Sequence, residues 1–142
     1  MKAIELNVSD LYTEGALVDI IIMPSIEYIK KKKLIKSEIP KTQVKALIDT
    51  GATSSCIDKS VINDIGLQCI STQEVKTPFE SHICNLYATI FQIADTNEYF
   101  SLIVPEADLS RDNHKAIIGR DILKNCTFVY NGNLNKAFLI IN

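Results

Sequence analysis

The sequence predicts a mostly β protein whose strands close on themselves or sandwich into two layers. Short β-branched and aromatic runs recur at close spacing through the 142 residues, among them 17–23, 42–48, 87–94 and 136–141. Turn formers punctuate these runs, and Asn131-Gly132 is a strong hairpin signal. Helical patterns are confined to short stretches after Ser25, after Asp58 and from Asp121. One domain spanning residues 1–142 is expected at this length. Such a chain can bury about 68–70% of its unfolded surface, enough for a real core.

Taken in order, residues 2–8 read as a strand, followed by a polar turn through Ser9, Asp10 and Thr13-Glu14-Gly15. The β-branched run 17–23 is a strand that stops at Pro24. Ser25 is placed to cap a helix from Ile26, with Ile26, Ile29, Lys33 and Leu34 at helical spacing. Lys30-Lys31-Lys32-Lys33 would then be a solvated face, and Pro40 closes the segment. Residues 42–48 form a further strand. Ser55-Cys56-Ile57 enters a helix capped by Asp58, with Val61, Ile62 and Ile65 inward and Gly66 ending it. Strands at 69–75 and 87–94 flank a hairpin tip, 76–81, which contains one proline and one exposed aromatic. Residues 99–104 pair back across Asp95-Thr96-Asn97, and a polar loop follows from 105 to 114. After the apolar run 116–118, a short helix at 121–125 leads to a terminal hairpin of 126–130 and 136–141.

Composition narrows the partners. The net charge is −2, and the only basic cluster, the four lysines, has no interleaved aromatics, so no nucleic acid is expected. No apolar run approaches a membrane span and the start has no signal-type core; no membrane association and a cytoplasmic location are expected. Cys56, Cys69, Cys84 and Cys126 are scattered without C-x-x-C spacing, and free, mostly buried thiols are expected. Their spacing with His82 and His114 does not suit a metal site, and no metal or cofactor is expected.

One stretch stands out chemically. The strand Ala46-Leu47-Ile48 delivers Asp49 to a tight turn through Thr50, Gly51 and Ala52. A carboxylate at the end of a buried strand is costly unless hydrogen-bonded, paired or used, which makes Asp49 a candidate site residue against the plainer reading of ordinary turn chemistry. About seventy residues later a second apolar run ends in Gly119-Arg120-Asp121.

Asp49-Thr50-Gly51-Ala52 together with Ile117-Ile118-Gly119-Arg120-Asp121 resembles the retropepsins, aspartic proteases of retroviral type. The order of elements from residue 17 to residue 142 is similar as well. A bacterial branch of retropepsin-like proteins is closer still. Its helical insert, its flap Thr-Pro and its Phe-Val-Tyr-Asn-Gly match residues 25–36, Thr77-Pro78 and Phe128-Val129-Tyr130-Asn131-Gly132. The resemblance implies a closed β-barrel with a flap hairpin, a short C-terminal helix and a helical insert before the catalytic strand. It implies an aspartic endopeptidase acting on peptide or protein substrates, with Asp49 as acid and base. Thr50 would lock two loops together, Gly51 would expose backbone to substrate, and Ala52 would line the floor. Thr77, Pro78 and Phe79 would form the flap tip.

Peptide hydrolysis by this family needs two carboxylates sharing one proton; aspartic proteases are the standard case of such a dyad. The chain has a single Asp-Thr-Gly, and Asp95-Thr96-Asn97 lacks the glycine, so a homodimer contributing one Asp49 per copy is expected. Two departures bear on this. The flap region 75–87 has no glycine, which leaves a catalytically weak or inactive peptide-binding or dimerisation module as the alternative. Thr53 stands where viral members often have an acid that pairs with the arginine matching Arg120, so Arg120 is expected to find another partner such as Asp121. His82 and His114 are read as solvated loop residues, and Cys56 as packing.

Overall fold

The computed structural model describes residues 2–142. Its strands are β1 (Lys2–Glu5), β2 (Leu17–Pro24), β3 (Thr42–Ile48), β4 (Cys56–Asp58), β5 (Cys69–Lys76), β6 (Ser81–Ile93), β7 (Tyr99–Ala107), β8 (Ala116–Ile118), β9 (Cys126–Asn131) and β10 (Lys136–Ile141). The helices are short: α1 (Leu11–Glu14), α2 (Ile26–Lys31), α3 (Lys59–Ile65) and α4 (Arg120–Leu123), with a 3₁₀ turn at Lys36–Glu38.

Two sheets form. The larger runs β2-β3-β8-β4-β7-β6-β5, and β6 returns to pair with β2, so six strands close into a barrel and β5 lies outside it. Closure gives each of the six a neighbour on both sides for part of its length, the usual way a small all-β protein limits its free edges. Ile20, Ile22, Ile57, Phe91, Ile93, Val104 and Ile118 are fully buried inside. Two of the contacts are parallel. β8 lies beside β3 with Ala46 opposite Ala116 and Ile48 opposite Ile118, and β4 runs parallel to β7. The smaller sheet, β1-β10-β9, is antiparallel and packs Ala137, Leu139 and Ile141 onto the core.

Most elements lie where the sequence predicts, and the differences have local causes. The turn after β1 is helical: Asp10 caps α1 by accepting from Tyr12 N–H, and buried Leu11 anchors it. The Ser25 cap forms as expected, accepting from Tyr28 N–H, but the helix stops at Lys31 because Lys33 adopts φ +53° and cannot extend it. The lysines are solvated, and no residue of α2 is fully buried. β7 continues through Pro105, where the loop was expected to begin, because it changes partners there. Pro105 is the last residue opposite β6, and from Glu106 the strand joins β4. In the β9–β10 hairpin the left-handed residue is Asn135, not Gly132. All four thiols are free; Cys56, Cys84 and Cys126 are half-buried, while Cys69 is exposed rather than buried.

The junction of β4 and α3 is the main buried polar point of the barrel. Asp58 caps α3 by accepting from the N–H and hydroxyl of Ser60, and its Oδ1 accepts from Leu109 N–H at 2.7 Å. Lys115 reinforces the same loop by donating to the carbonyls of Leu109 and Asp112. Burial pushes the Asp58 carboxyl up. The Ser60 hydroxyl, the Leu109 and Ser60 N–H groups and the Lys115 ammonium together outweigh that effect and hold it below the ordinary carboxylate range. A lowered folded-state value adds stability above the unfolded value, about 3.9, and that stability drains away as pH falls below it. Asp58→Ala is expected to destabilise by about 1–3 kcal/mol at neutral pH. It should also flatten the wild type's loss of stability below about pH 4. Urea unfolding at several pH values measures both, and an unchanged acid dependence would refute the role.

Candidate active site

The site is built where two apolar strands run side by side and end together. β3 and β8 are parallel neighbours, so their C-terminal ends emerge on the same side of the barrel. From β3 comes the loop Asp49 to Ser55, and from β8 comes Gly119 leading into α4. Asp49 N–H donates to the Ile118 carbonyl at 2.9 Å, and Arg120 N–H donates to the Ala52 carbonyl at 2.9 Å. The two segments therefore clasp through their backbones on both sides of Gly119.

Gly119 is where a side chain is impossible. A Cβ there would lie 2.6 Å from the Ser54 carbonyl carbon and 2.9 Å from the Ala52 oxygen, both backbone atoms that cannot swing aside. Its N–H donates to Ser55 Oγ at 3.0 Å. Ser55, fully buried, donates in turn from Oγ to Asp121 Oδ1 at 2.7 Å, and its N–H donates to Asp121 Oδ2 at 3.0 Å. Asp121 Oδ1 also accepts from Ile122 N–H at 2.9 Å, which ties the clasp to the first turn of α4. Sequence reading passed over Ser55. Its signal was parity: Ser55 alternates with inward-facing Ile57, so its hydroxyl had to find a buried partner.

Arg120 does not pair with Asp121, as had been expected. Its Nη1 donates to the Thr50 carbonyl at 2.7 Å and its Nη2 to Thr53 Oγ1 at 3.1 Å. Thr53 thus holds the arginine with a neutral hydroxyl where an acid was looked for. Asp121 is already occupied by Ser55. Among the described residues the one salt bridge is Lys45–Asp19, so the Arg120 charge is unneutralised beside the loop.

Asp49 sits half-buried at the mouth of this loop. Its Oδ1 accepts from Gly51 N–H at 2.8 Å, and Oδ2 has no partner among the described residues. One oxygen orients the carboxylate and the other is left for chemistry. A Cβ on Gly51 would approach Asp49 Oδ1 at 3.1 Å, so the glycine keeps that oxygen unobstructed. Thr50 and Gly51 are exposed and Ala52 is half-buried. Asp95, from the rejected near-miss triplet, lies in the β6–β7 turn at φ +62°. Burial raises the Cys56 thiol to about 11, partly offset by a hydrogen bond with the Ile117 backbone and helped by the negative charges of Asp49, Asp121 and Asp58. It stays protonated and is no nucleophile.

Thr77, Pro78 and Phe79 lie at the tip of the β5–β6 hairpin, as the sequence predicts. Thr77 locks the turn: its Oγ1 accepts from the N–H groups of Phe79 and Glu80 and donates to the Glu80 carbonyl. β6 meets β7 only from Leu86 and β2 only from Thr89, so residues 81–85 pair with β5 alone and the arm projects beyond the barrel. Phe79 is 96% exposed. No hydrogen bond among the described residues joins this tip to the Asp49 loop. His82 is exposed on the arm, and His114 is half-buried in the loop before β8.

Comparison with known proteins agrees with this geometry. Residues 29–130 match the family model described as retroviral aspartyl protease, and the chain belongs to that family. It is an aspartic-protease-type hydrolase at the level of family. Among solved structures, it is similar to a retropepsin-like aspartic protease from Rickettsia conorii, with 13% identity, a TM-score of 0.46, and coverage of 87% of this chain and 90% of that one. No curated protein matches the chain.

Gly119→Ala is expected to destabilise by about 1–3 kcal/mol through overpacking against backbone. Ser55→Ala should cost about 1–3 kcal/mol by leaving the Gly119 N–H and the Asp121 carboxylate short of a partner. Chemical denaturation of both variants checks this, and wild-type stability in either would disprove the clasp.

Proposed function

We propose that this chain is an aspartic endopeptidase that works as a symmetric homodimer, with residues 1–142 of each copy acting as one domain. The observation that supports it best is the half-site: one oriented carboxylate, Asp49, with one oxygen uncommitted, on a loop clasped rigidly from behind. Two such loops facing each other across a two-fold axis would bring the carboxylates together. Like charges at that range cannot both ionise, so the pair would share one proton. The ionised Asp49 would take a proton from a bound water, whose oxygen attacks the carbonyl carbon of the scissile peptide. The protonated Asp49 would donate to the carbonyl oxygen, giving a gem-diol; as the C–N bond breaks, the Asp49 that took the water's proton would pass it to the leaving amine, and its partner would recover a proton from the gem-diol hydroxyl.

The supporting residues have physical roles in this reading. Thr50, exposed at the loop tip, would hydrogen-bond its counterpart loop, while Arg120 fixes its carbonyl from behind. Gly51 and Ala52 would form the floor, against which an extended peptide lies as an added strand. The arm carrying Thr77, Pro78 and Phe79 would close over that strand and exclude water, with Phe79 as its apolar contact. The Thr77-locked, glycine-free turn favours one other reading, a dimerising module that holds peptides without cleaving them.

Cleavage of a diverse peptide mixture between about pH 4 and 7 separates the two readings. The wild type is expected to cut, with a bell-shaped pH profile whose two apparent values belong to the dyad. Activity should fall on the acid side as both carboxylates protonate and on the alkaline side as both ionise. Asp49→Asn should lose at least about a thousandfold in kcat, the scale of removing an acid–base group. Peptide binding without cleavage by the wild type would favour the module. Equal cleavage by Asp49→Asn would remove Asp49 from the chemistry.

A further inference from the structure

The barrel wall is half-paired along one strand. β7 lies between β6 and β4, but β4 joins it only at Glu106 and Ala107. From Tyr99 to Pro105 the side away from β6 has no neighbouring strand. Two hydrogen bonds fix which backbone groups face that open side. Ile93 N–H donates to the Glu98 carbonyl, so by alternation Phe100, Leu102 and Val104 bond to β6. Ala94 N–H donates to the Asp19 carbonyl, which turns Gln92 and Ile90 towards β2 and agrees with that phase. The N–H and C=O groups of Tyr99, Ser101 and Ile103 therefore point outward from the sheet. An open row of this kind is a template for one more strand.

β9 and residues 81–85 of β6 are also uncharged and open on one side, and the edge of β7 differs from them in its surroundings. The residues that offer backbone here also present apolar side chains on the outer barrel face: Tyr99 is 58% exposed and Ile103 60%. Ser101 and Ile103 border a cleft shared with Ile70, Ala88 and Glu27. The charge around this edge has one sign. Glu98 precedes the open stretch, Glu106 follows it, and no lysine or arginine occurs from Thr77 to Ser110. The one salt bridge among the described residues is Lys45–Asp19, so Glu27, Glu98 and Glu106 have no cation. A second copy would bring the same acids against these, whereas a basic segment is drawn to them.

We propose that the 99–105 edge of β7 docks an extended segment of a partner protein, apolar at alternate residues and basic at both ends, which adds to the sheet as an antiparallel strand. Because β4 takes over the edge at Glu106, the seat holds seven residues, a length of about 23 Å. Three residues of the segment lie opposite Tyr99, Ser101 and Ile103 and exchange backbone bonds with them. In such pairs the side chains share a face, so these three are the apolar ones and cover Tyr99 and Ile103. The residues between them turn to the other face, and the flanking cations meet Glu98 and Glu106. Nothing in this inference depends on Asp49 chemistry.

The probe is the blocked peptide Lys-Val-Thr-Val-Thr-Val-Lys with a fluorophore, titrated with the full chain and read by anisotropy. The chain carries Asp49→Asn throughout, so the probe survives whether or not the wild type is a peptidase. Saturable binding is expected. Ser101 is exposed, and Ser101→Lys should weaken binding at least about tenfold by placing a cation on the edge, with thermal unfolding unchanged. Glu98→Gln with Glu106→Gln should weaken it too and flatten its dependence on salt. N-methylation of the three valines removes the N–H groups that face β7 and should abolish binding, while N-methylation of the two threonines should spare it. Equal binding by the parent chain and Ser101→Lys overturns the proposal, as does equal loss from the two methylation patterns. A chain that ignores the probe overturns it as well; if that chain self-associates and Ser101→Lys prevents this, the edge belongs to a second copy.

Discussion

The structure depends on two backbone segments passing within van der Waals contact of each other. Gly119 carries no side chain, and the carbonyl groups of Ala52 and Ser54 occupy the space one would fill. The anchoring of the Asp49 loop follows from this approach. Hydrogen bonds from Asp49 N–H to Ile118 and from Arg120 N–H to Ala52 are possible only with the chains this close. The buried Ser55–Asp121 pair then seals the crossing from the core side, and Arg120 seals it from the solvent side. A loop tip is ordinarily the mobile part of a fold. Here it is held by backbone bonds, a buried hydroxyl and a guanidinium, which is how a loop residue can be positioned for chemistry.

The barrel topology produces the crossing. β8 comes late in the sequence yet inserts between β3 and β4, parallel to the first and antiparallel to the second. A parallel pair brings two strand ends, and so two loops, to the same side. Had β8 run antiparallel to β3, Gly119 would emerge at the far end of the barrel and the Asp49 turn would stand unsupported. The same geometry supplies one carboxylate per chain and no second. In the proposed mechanism half a site would be inert alone, which is why association is part of that mechanism rather than an addition to it.

Much of this was legible in the residues. The alternation in β3, the Asp58 cap with Val61, Ile62 and Ile65 inward, and the Gly66 stop at φ +76° are local features, and local rules located them. The conjunction of Asp49-Thr50-Gly51 with the glycine segment at 119 was legible through the family resemblance. What escaped was relational. Which atom satisfies Arg120 depends on a carbonyl seventy positions away, and Ser55 had already claimed Asp121. The run of β7 through Pro105 depends on a change of neighbour that no periodicity records. The start of β6 at Ser81, six residues ahead of the expected Tyr87, is ladder pairing without burial, where apolar alternation is too faint to read.

Cys56 adds a property of a different kind. It lies beside the Asp49 loop, between three carboxylates and the barrel core, and its thiol is raised to about 11. At neutral pH only about one in ten thousand such thiols is a thiolate, the form that attacks peroxide and disulfides. Burial and the neighbouring charges thus disfavour the sulfur beside the candidate catalytic carboxylate as a redox target. A shift between reducing and oxidising surroundings thus meets a shielded thiol at this site and an open one at Cys69 on β5.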